Sequence, residues 1–221
     1  MSLVLAIDGA LSVGTVAVID GHEVRAERTV AMKGASEERL FPAVLDAVSA
    51  AGAALRDVTR VVCGAGPGSF TSLRIAASIA KGIAAGSGAR IAAVSSHALV
   101  IAGAAQVVGA GRYLVVTDAL RGECFATLVV VAAGGAIGEI AATTRVSADG
   151  VAEQAATFGA TLAGPGRALD LSPHARGVAR LVATPGAITG VDLDRWEPDY
   201  GRLAEAQVKW EAAHGRPLPA S

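Results

Sequence analysis

The sequence predicts an α/β protein of two duplicated lobes, each with the element order β-β-β-α-β-α. Strand-like and helix-like patterns follow this order in an N-terminal lobe, residues 1–108, and again in a C-terminal lobe, residues 109–198. The tetrapeptide Ala-Gly-Pro-Gly also occurs twice, at residues 65–68 and 163–166, each time after the fourth strand of its half. A repeated element order that shares a tetrapeptide is typical of internal duplication. A composition of 52% hydrophobic and 18% charged residues supplies the core that such lobes need.

Three strands open the N-terminal lobe. The segments Leu3–Asp8 and Gly14–Asp20 are rich in β-branched residues, which favour strands. The dipeptide Asp20-Gly21 is typical of a two-residue hairpin turn, so we expect the chain to return along Glu23–Val30.

A helix follows the hairpin. Ser36 is a candidate N-cap, Glu37 and Glu38 favour the first turn, and Gly52 lies past the predicted end. Pro42 falls within this pattern, and a proline there predicts either a kink or a later helix start.

The rest of the N-terminal lobe is a strand, a helix, a strand and a helix. The short apolar strand Arg60–Cys63 leads into a glycine-rich loop and a second helix that ends near Ala85. A further strand is predicted at Ile91–Val94, and a helix over about Ser96–Ala105.

The C-terminal lobe repeats the order. Its predicted strands and helices are Tyr113–Thr117, Glu123–Val131, Ala136–Ala142, the helix Ala148–Ala156, the strand Thr161–Ala163 and a helix around Pro173–Val182. A tail, residues 199–221, is predicted to be helical after Tyr200 and to pack back on the first lobe.

The glycine-rich loop, residues 64–75 (GAGPGSFTSLRI), does not fit either common phosphate-binding motif. A P-loop requires a lysine directly after its second glycine, and the first lysine here is Lys81. A Rossmann loop requires an acidic residue about 20 positions later, and residues 91–96 contain none. The loop is therefore predicted to be a tight strand-to-helix turn, with Ser69 or Thr71 capping the helix.

The helix after this loop has two apolar sides, and a surface helix needs only one. A ridge of branched residues suits packing on the sheet of the same lobe: Ile75, Ile79 and Ile83. A smoother strip suggests cover by another protein: Leu73, Ala77, Ala80 and Ala84. The alternative is that these alanines reflect an alanine-rich composition and pack within the monomer. With the preceding helix and the loop, the predicted partner interface comprises Leu40, Ala43, Ala47, Ser69, Phe70, Leu73, Arg74, Ala77, Ala80, Lys81 and Ala84.

Two aspartates at predicted strand ends are candidates for a nucleotide or phosphate site. Asp8 precedes Gly9 after the first strand, and Asp118 takes the corresponding place in the second lobe. Carboxylates facing a cleft could hold a metal ion, with glycine amides facing phosphate. The alternative is that both carboxylates bind turn amides, as strand-end aspartates commonly do.

Other classes of site have little support. The four histidines form no HxxxH or HExxH pair, and Cys63 and Cys124 form no CxxC motif, which argues against a zinc site and for a reduced, cytoplasmic protein. A net charge of −1 without a basic cluster predicts that any nucleic acid substrate would be held mainly by another chain. No apolar run is long enough for a membrane span, and the basic start of a signal peptide is missing.

Several motifs, in order along nearly the whole chain, resemble the TsaB (YeaZ) family. The most specific is GPGSFTSLRI, residues 66–75, followed by AKG at residues 80–82. Further similar segments are LAID (5–8), VSS (94–96), TDALRGECF (117–125) and PDYGRLAEA (198–206).

The resemblance implies an actin/sugar-kinase-like (ASKHA) fold and a non-catalytic but required role in making threonylcarbamoyladenosine in ANN-decoding tRNAs. It implies pairing through the first-lobe helices with TsaD, a paralogous transferase, and a larger complex that includes the ATPase TsaE. A homodimer would use the same surface when TsaD is absent. The resemblance implies no cofactor on this chain, with ATP and Mg²⁺ at the level of the complex, and tRNA contact only through the complex.

The chain departs from the family pattern at three places. Asp8-Gly9-Ala10 stands where relatives have Asp-Thr-Ser, which argues against Mg-ATP in the lobe cleft, and Ser72 replaces a glycine of the central motif. Ser36-Glu37-Glu38 replaces a His-Ser-Glu segment. Two alternative functions remain: an ATPase or small-molecule kinase that uses Asp8 and Asp118, and a glycoprotease-type metallopeptidase, against which the missing histidine pair argues.

Overall fold

The computed structural model describes residues 2–32, 37–201 and 214–215, and it confirms the predicted α/β class. Within these residues the strands, in chain order, are β1 (Leu3–Asp8), β2 (Val13–Asp20), β3 (Glu23–Ala31), β4 (Val58–Gly64), β5 (Arg90–Val94), β6 (Gly111–Leu120), β7 (Glu123–Val131), β8 (Ile137–Glu139), β9 (Thr144–Ser147), β10 (Thr161–Gly164), β11 (Leu169–Asp170) and β12 (Ile188–Gly190). The α-helices are α1 (Leu40–Ala50), α2 (Phe70–Ser87), α3 (Ser96–Ala102), α4 (Val151–Phe158) and α5 (Val178–Leu181).

The strands form two mixed sheets, one for each lobe. The first sheet has the order β12-β5-β4-β1-β2-β3, with β1, β4 and β5 parallel and the β1–β2 and β2–β3 pairs antiparallel. The second has the order β11-β10-β6-β7-β8, and β9 also pairs with β7. Because β1-β2-β3-α1-β4 is matched by β6-β7-β8-α4-β10, the two sheets follow the predicted duplication, with β9 inserted before α4.

One strand of the first sheet comes from the far end of the chain. Residues Ile188–Gly190 (β12) pair antiparallel with β5, with Ile188 opposite Val94. These residues fall within 109–198, the range predicted for the second lobe, although β12 pairs with a strand of the first sheet. A three-residue strand carries too little periodicity to be recognised in a sequence.

The core is arranged around β1, whose six residues are all buried. Leu5 and Ile7 belong to the cluster under α1 and α2, whereas Val4 and Ala6 face a second cluster that contains α3. Side chains of a strand alternate between the two faces of its sheet, so β1 separates these two clusters. The α3 cluster also includes Tyr113 and other residues of the second sheet, and it joins the two lobes.

The start of α1 shows how Pro42 acts. The helix begins at Leu40, which places Pro42 in the first turn, where its missing N–H breaks no helical hydrogen bond. The predicted delay is therefore confirmed and the predicted kink does not occur. The N-cap residue is Arg39, whose side chain makes no capping hydrogen bond; the carboxylate of Glu38, one residue earlier, accepts the N–H groups of Leu40 and Phe41. The predicted cap, Ser36, lies outside the described residues.

Candidate functional site

The glycine-rich loop between β4 and α2 uses its polar backbone groups inside the molecule. The Gly66 N–H donates to Ser96 Oγ at 3.1 Å, and the Ser69 N–H donates to the Ala10 carbonyl at 2.7 Å. A Cβ atom at Gly68 would come within 2.1 Å of that same carbonyl, so close packing requires glycine there. Amides engaged in this way are not available to a phosphate, which supports the interpretation of the loop as a tight turn.

The start of α2 departs slightly from the predicted capping. Ser69 is the N-cap residue, but its side chain makes no capping hydrogen bond. Instead its Oγ accepts a hydrogen bond from the Ser72 hydroxyl at 3.1 Å. Ser72 is buried, and its hydroxyl finds its partner within the same helical turn.

Asp8 is enclosed beneath the loop. Its side chain is fully buried and accepts hydrogen bonds from Ser96 Oγ at 2.6 Å and from the Ala10 N–H at 3.1 Å. Burial raises the pKa of this carboxyl group, and the two hydrogen bonds partly oppose the increase. The neighbouring Gly9 is also buried, and a Cβ atom there would meet the Ser72 carbonyl at 2.8 Å.

Asp118 occupies the corresponding strand of the second lobe but lies at the surface. Its Oδ1 accepts the Leu120 N–H at 2.7 Å in the turn before β7. Asp8 and Asp118 therefore form no pair of accessible carboxylates. Both do what the alternative interpretation expected, since each binds an amide of its own turn.

The structure corrects the assignment of faces on α2. Of the strip predicted to meet a partner, Ala77, Ala80 and Ala84 pack in the cluster on the first sheet. Leu73 is buried as well, and none of the four residues is more than 6% exposed. On α1 the predicted interface residues are at most 8% exposed: Leu40, Ala43 and Ala47. The predicted ridge is the more open side, because Ile75 and Ile79 are only half-buried, although Ile83 is buried.

The side of α1 and α2 that faces away from the sheet carries an apolar patch. Phe41 and Leu45 on α1 are 39% and 44% exposed, although they are large hydrophobic residues. With Ile75, Ile79 and Phe70 of α2 they form what we call the docking surface. It contains two shallow depressions of about 480 and 420 Å³. Contiguous exposed apolar area of this kind marks interaction sites.

The chain returns to this region after β12. Val191, Leu193 and Trp196 pack on the cluster under α1 and α2, and the Lys81 ammonium donates to the Asp194 carbonyl at 3.4 Å. We call residues 191–201 the C-terminal strap. Lys81, predicted to contact a partner, is thus engaged within the chain.

The end of the strap lies against the loop and α2. The Asp199 N–H donates to the Ala65 carbonyl at 2.7 Å, and the ring of Tyr200 lies 4.6 Å from that of Phe70. The guanidinium of Arg74 lies above both rings, at 4.5 Å from the centre of Phe70 and 5.9 Å from that of Tyr200. Residues 199–201 therefore lie against the first lobe. The predicted tail helix falls on residues 202–213, outside the described residues.

Sequence reasoning missed the role of His97. This residue of α3 is fully buried between the lobes, and its ring nitrogens lie 2.6 Å from Thr127 Oγ1 and 2.8 Å from Thr117 Oγ1. Burial lowers the pKa of His97 to about 3, so the ring is neutral at pH 7. Its partners come 20 and 30 residues later on two different strands, and no local sequence pattern predicts such a contact.

His97 is expected to make the fold sensitive to acid. The unfolded chain takes up a proton at this histidine near pH 6.5, and the folded chain does so only near pH 3. Stability from this residue is therefore full above pH 6.5 and falls by up to about 1.4 kcal/mol per pH unit between pH 6.5 and 3. Urea unfolding at pH 7 to 4 should show a flatter pH dependence for His97→Gln than for the wild type.

The matched control for this test is His22→Gln, because His22 is exposed. Its slope serves as the reference for the loss of a histidine at an exposed site. The raised pKa of Asp8 acts with the opposite sign, since a carboxyl group protonated more readily in the folded state stabilises that state as the pH falls. Asp8 is present in the wild type and in both variants, so its contribution cancels when their slopes are compared. Equal slopes for His97→Gln and the wild type would contradict the expectation.

A cleft of about 490 Å³ lies where the loop, β5 and the second lobe meet. Glu139 lines it, and its carboxylate accepts a hydrogen bond from the Ser95 hydroxyl. Desolvation raises the pKa of Glu139. Within residues 2–32, 37–201 and 214–215, no group of three or more histidine, cysteine, aspartate or glutamate side chains is placed to hold a metal ion. Over the same residues, no helix combines the length and apolar character needed to cross a lipid bilayer.

Comparison with known proteins gives consistent matches. Residues 29–166 match the family model described as TsaD, tRNA N6-adenosine threonylcarbamoyltransferase. The tRNA threonylcarbamoyladenosine biosynthesis protein TsaB of Escherichia coli is 34% identical over 122 residues, which cover 55% of this chain and 52% of that protein. An uncharacterised protein of Mycobacterium leprae is 37% identical over 177 residues, covering 75% of this chain and 47% of its own length. The chain thus spans about half the length of the curated relatives it matches.

Two solved structures share the fold of this chain. YeaZ from Pseudomonas aeruginosa superposes with a TM-score of 0.72 at 26% identity, covering 90% of this chain and all of that one. A second Pseudomonas aeruginosa structure, an uncharacterised protein with similarity to peptidase YeaZ, gives a TM-score of 0.73 at 24% identity, covering 91% of this chain and all of that one.

Proposed function

The chain belongs to the TsaB/YeaZ family, and we propose that it is a supporting, non-catalytic subunit required for threonylcarbamoyladenosine synthesis in ANN-decoding tRNAs. Its direct partner is a TsaD-like transferase, a paralogue of the same family. A TsaE-like ATPase joins the larger complex, and tRNA is contacted only through that complex. In the absence of the transferase, two copies of the chain pair through the same surface.

The observation that carries the proposal is the docking surface. Phe41, Leu45 and Ile79 expose apolar area on two neighbouring helices. The other large exposed hydrophobic residues of the described chain are scattered over separate elements: Val13, Val107, Leu120, Ile140 and Val182. A stable heterodimer buries about 800 Å² on each partner, an area on the scale of two helix faces.

The supporting role is favoured by the state of the candidate catalytic groups. Asp8 is buried and bound by Ser96 and an amide, so in this conformation it cannot reach a metal-bound nucleotide. The loop amides of Gly66 and Ser69 are likewise engaged within the chain. These features argue against the ATPase or kinase alternative. The exposed features of the first lobe instead support binding of the transferase.

The test is reconstitution of the modification. The TsaD-like and TsaE-like paralogues of the same genome are incubated with ATP, unmodified tRNA and a threonylcarbamoyl donor system, with and without the purified chain. Mass spectrometry of tRNA nucleosides is expected to detect threonylcarbamoyladenosine only when the chain is present. Equal product without the chain would overturn the proposal, as would turnover of ATP by the isolated chain that is lost in Asp8→Ala.

A further inference from the structure

We infer that Arg74 binds a carboxylate of the docking partner, and that the C-terminal strap holds its guanidinium in place for that contact. This inference rests on the proposed function, because it concerns the same docking surface. It specifies a negative charge at one position of the partner, and it assigns the C-terminal strap a role in recognition.

Arg74 is an exposed residue whose position is nevertheless fixed. Its guanidinium stacks on the rings of Phe70 and Tyr200, and its Nε–H donates to the Tyr200 hydroxyl at 3.4 Å. Stacking of an arginine on aromatic rings orders the side chain and leaves the donors at its edge free for other contacts. The entropy lost on forming a further bond is then smaller than for a free arginine.

The described part of the chain supplies no carboxylate for this cation. The ion pairs found there join other residues, and none of the acidic oxygens of residues 2–32, 37–201 and 214–215 lies within 4.0 Å of Arg74. Glu38 lines the same depression as Arg74, but its carboxylate accepts the first N–H groups of α1. The terminal amino groups of Arg74 are thus ordered donors without an acceptor in residues 2–32, 37–201 and 214–215.

The surroundings of Arg74 match a charged contact at the edge of an apolar interface. Ile75 and Ile79 line the depression beside it. When a partner covers this apolar area, water is excluded and a charge pair at its edge gains strength. A carboxylate can accept two parallel N–H groups of a guanidinium, which makes aspartate or glutamate the fitting residue on the partner.

The strap determines where the second ring lies. Asp199 donates its N–H to Ala65, and a Cβ atom at Gly66 would come within 2.2 Å of the Asp199 carbonyl. This close approach fixes the backbone beside Tyr200. Tyr200 is therefore a positioning residue for Arg74, and we expect its loss to weaken docking through Arg74.

The test measures the affinity of the full chain for the TsaD-like paralogue at about 50 to 500 mM salt. Wild-type affinity should fall as salt rises. Arg74→Ala should weaken binding about tenfold or more at low salt and flatten the salt dependence. The affinity of Arg74→Lys should lie between that of the wild type and that of Arg74→Ala, because lysine keeps the charge and loses the planar stacking. Tyr200→Ala should weaken binding about threefold, while Tyr200→Phe should bind as the wild type, because it keeps the stacked ring.

Reversal of the charge at Arg74 provides a further test of the charge contact. Arg74→Glu should weaken binding more than Arg74→Ala, and Arg112→Glu, at an exposed site on β6, should leave it unchanged. Wild-type affinity and salt dependence in the Arg74 variants would overturn the inference and leave the proposed function standing. Failure of the wild-type chain to bind the paralogue at any salt would overturn both.

Discussion

Replacing Leu45 with arginine is expected to weaken binding of the TsaD-like partner at least about 100-fold, because a cation would be buried without a counter-charge in an apolar interface. Leu45 is 44% exposed and lies on the outer side of α1, between Phe41 and the end of the helix. The isolated variant should therefore fold as the wild type does. Co-purification and titration calorimetry with the paralogue measure the loss, and thermal unfolding checks the fold.

The matched control is Val107→Arg. Val107 is 78% exposed and lies between α3 and β6, away from the docking surface, so it gains the same charge at an apolar surface position. It should bind the partner with wild-type affinity. Undiminished binding by a folded Leu45→Arg variant would remove the docking surface as the site of the partner, whatever the result of the reconstitution.

Replacing Ala80 with arginine is expected to unfold the chain. Ala80 is fully buried where α2 packs on the first sheet, and that contact has no space for a long, charged side chain. Overpacking and an unpaired buried charge together cost several kcal/mol, a large part of the 5–15 kcal/mol that stabilises a typical domain. Circular dichroism and urea unfolding should show an unfolded or aggregated product.

Ser78→Arg serves as the control on the same helix, because Ser78 is exposed. It should unfold at nearly the wild-type urea concentration. This pair of variants also decides between the two faces of α2. An Ala80→Arg chain that is as stable as the wild type but fails to bind the partner would restore the strip of Leu73, Ala77, Ala80 and Ala84 as the interface.

The sequence predicted the α/β class and its duplicated element order but not the orientation of α2. The strand Leu3–Asp8 and the helix end at Gly52 have strong local signals, and both were found as expected. The hairpin turn lies at Gly21-His22, one residue after the predicted Asp20-Gly21, because Asp20 still pairs with Glu23. Both apolar sides of α2 satisfy the same helical period, so periodicity could not say which one is buried. The small side chains face the sheet, and the bulkier Ile75 and Ile79 lie on the more open side.

The missed features of the candidate site depend on contacts between distant parts of the chain. His97 meets Thr117 and Thr127 only because α3 packs against the second sheet. Tyr200 meets Arg74 across 126 positions of sequence. Asp8 was a candidate site residue from the sequence, and only the fold shows that its carboxylate is buried and bound by Ser96.

The return of β12 and the C-terminal strap to the first lobe affects the order in which the protein matures during translation. The edge of β5 and the underside of the glycine-rich loop stay uncovered until residues 188–201 have left the ribosome. An uncovered strand edge is a template for pairing with other chains. The nascent first lobe is therefore exposed to aggregation while the whole second lobe is being synthesised. The site that we propose around Arg74 is complete only after synthesis has passed Tyr200.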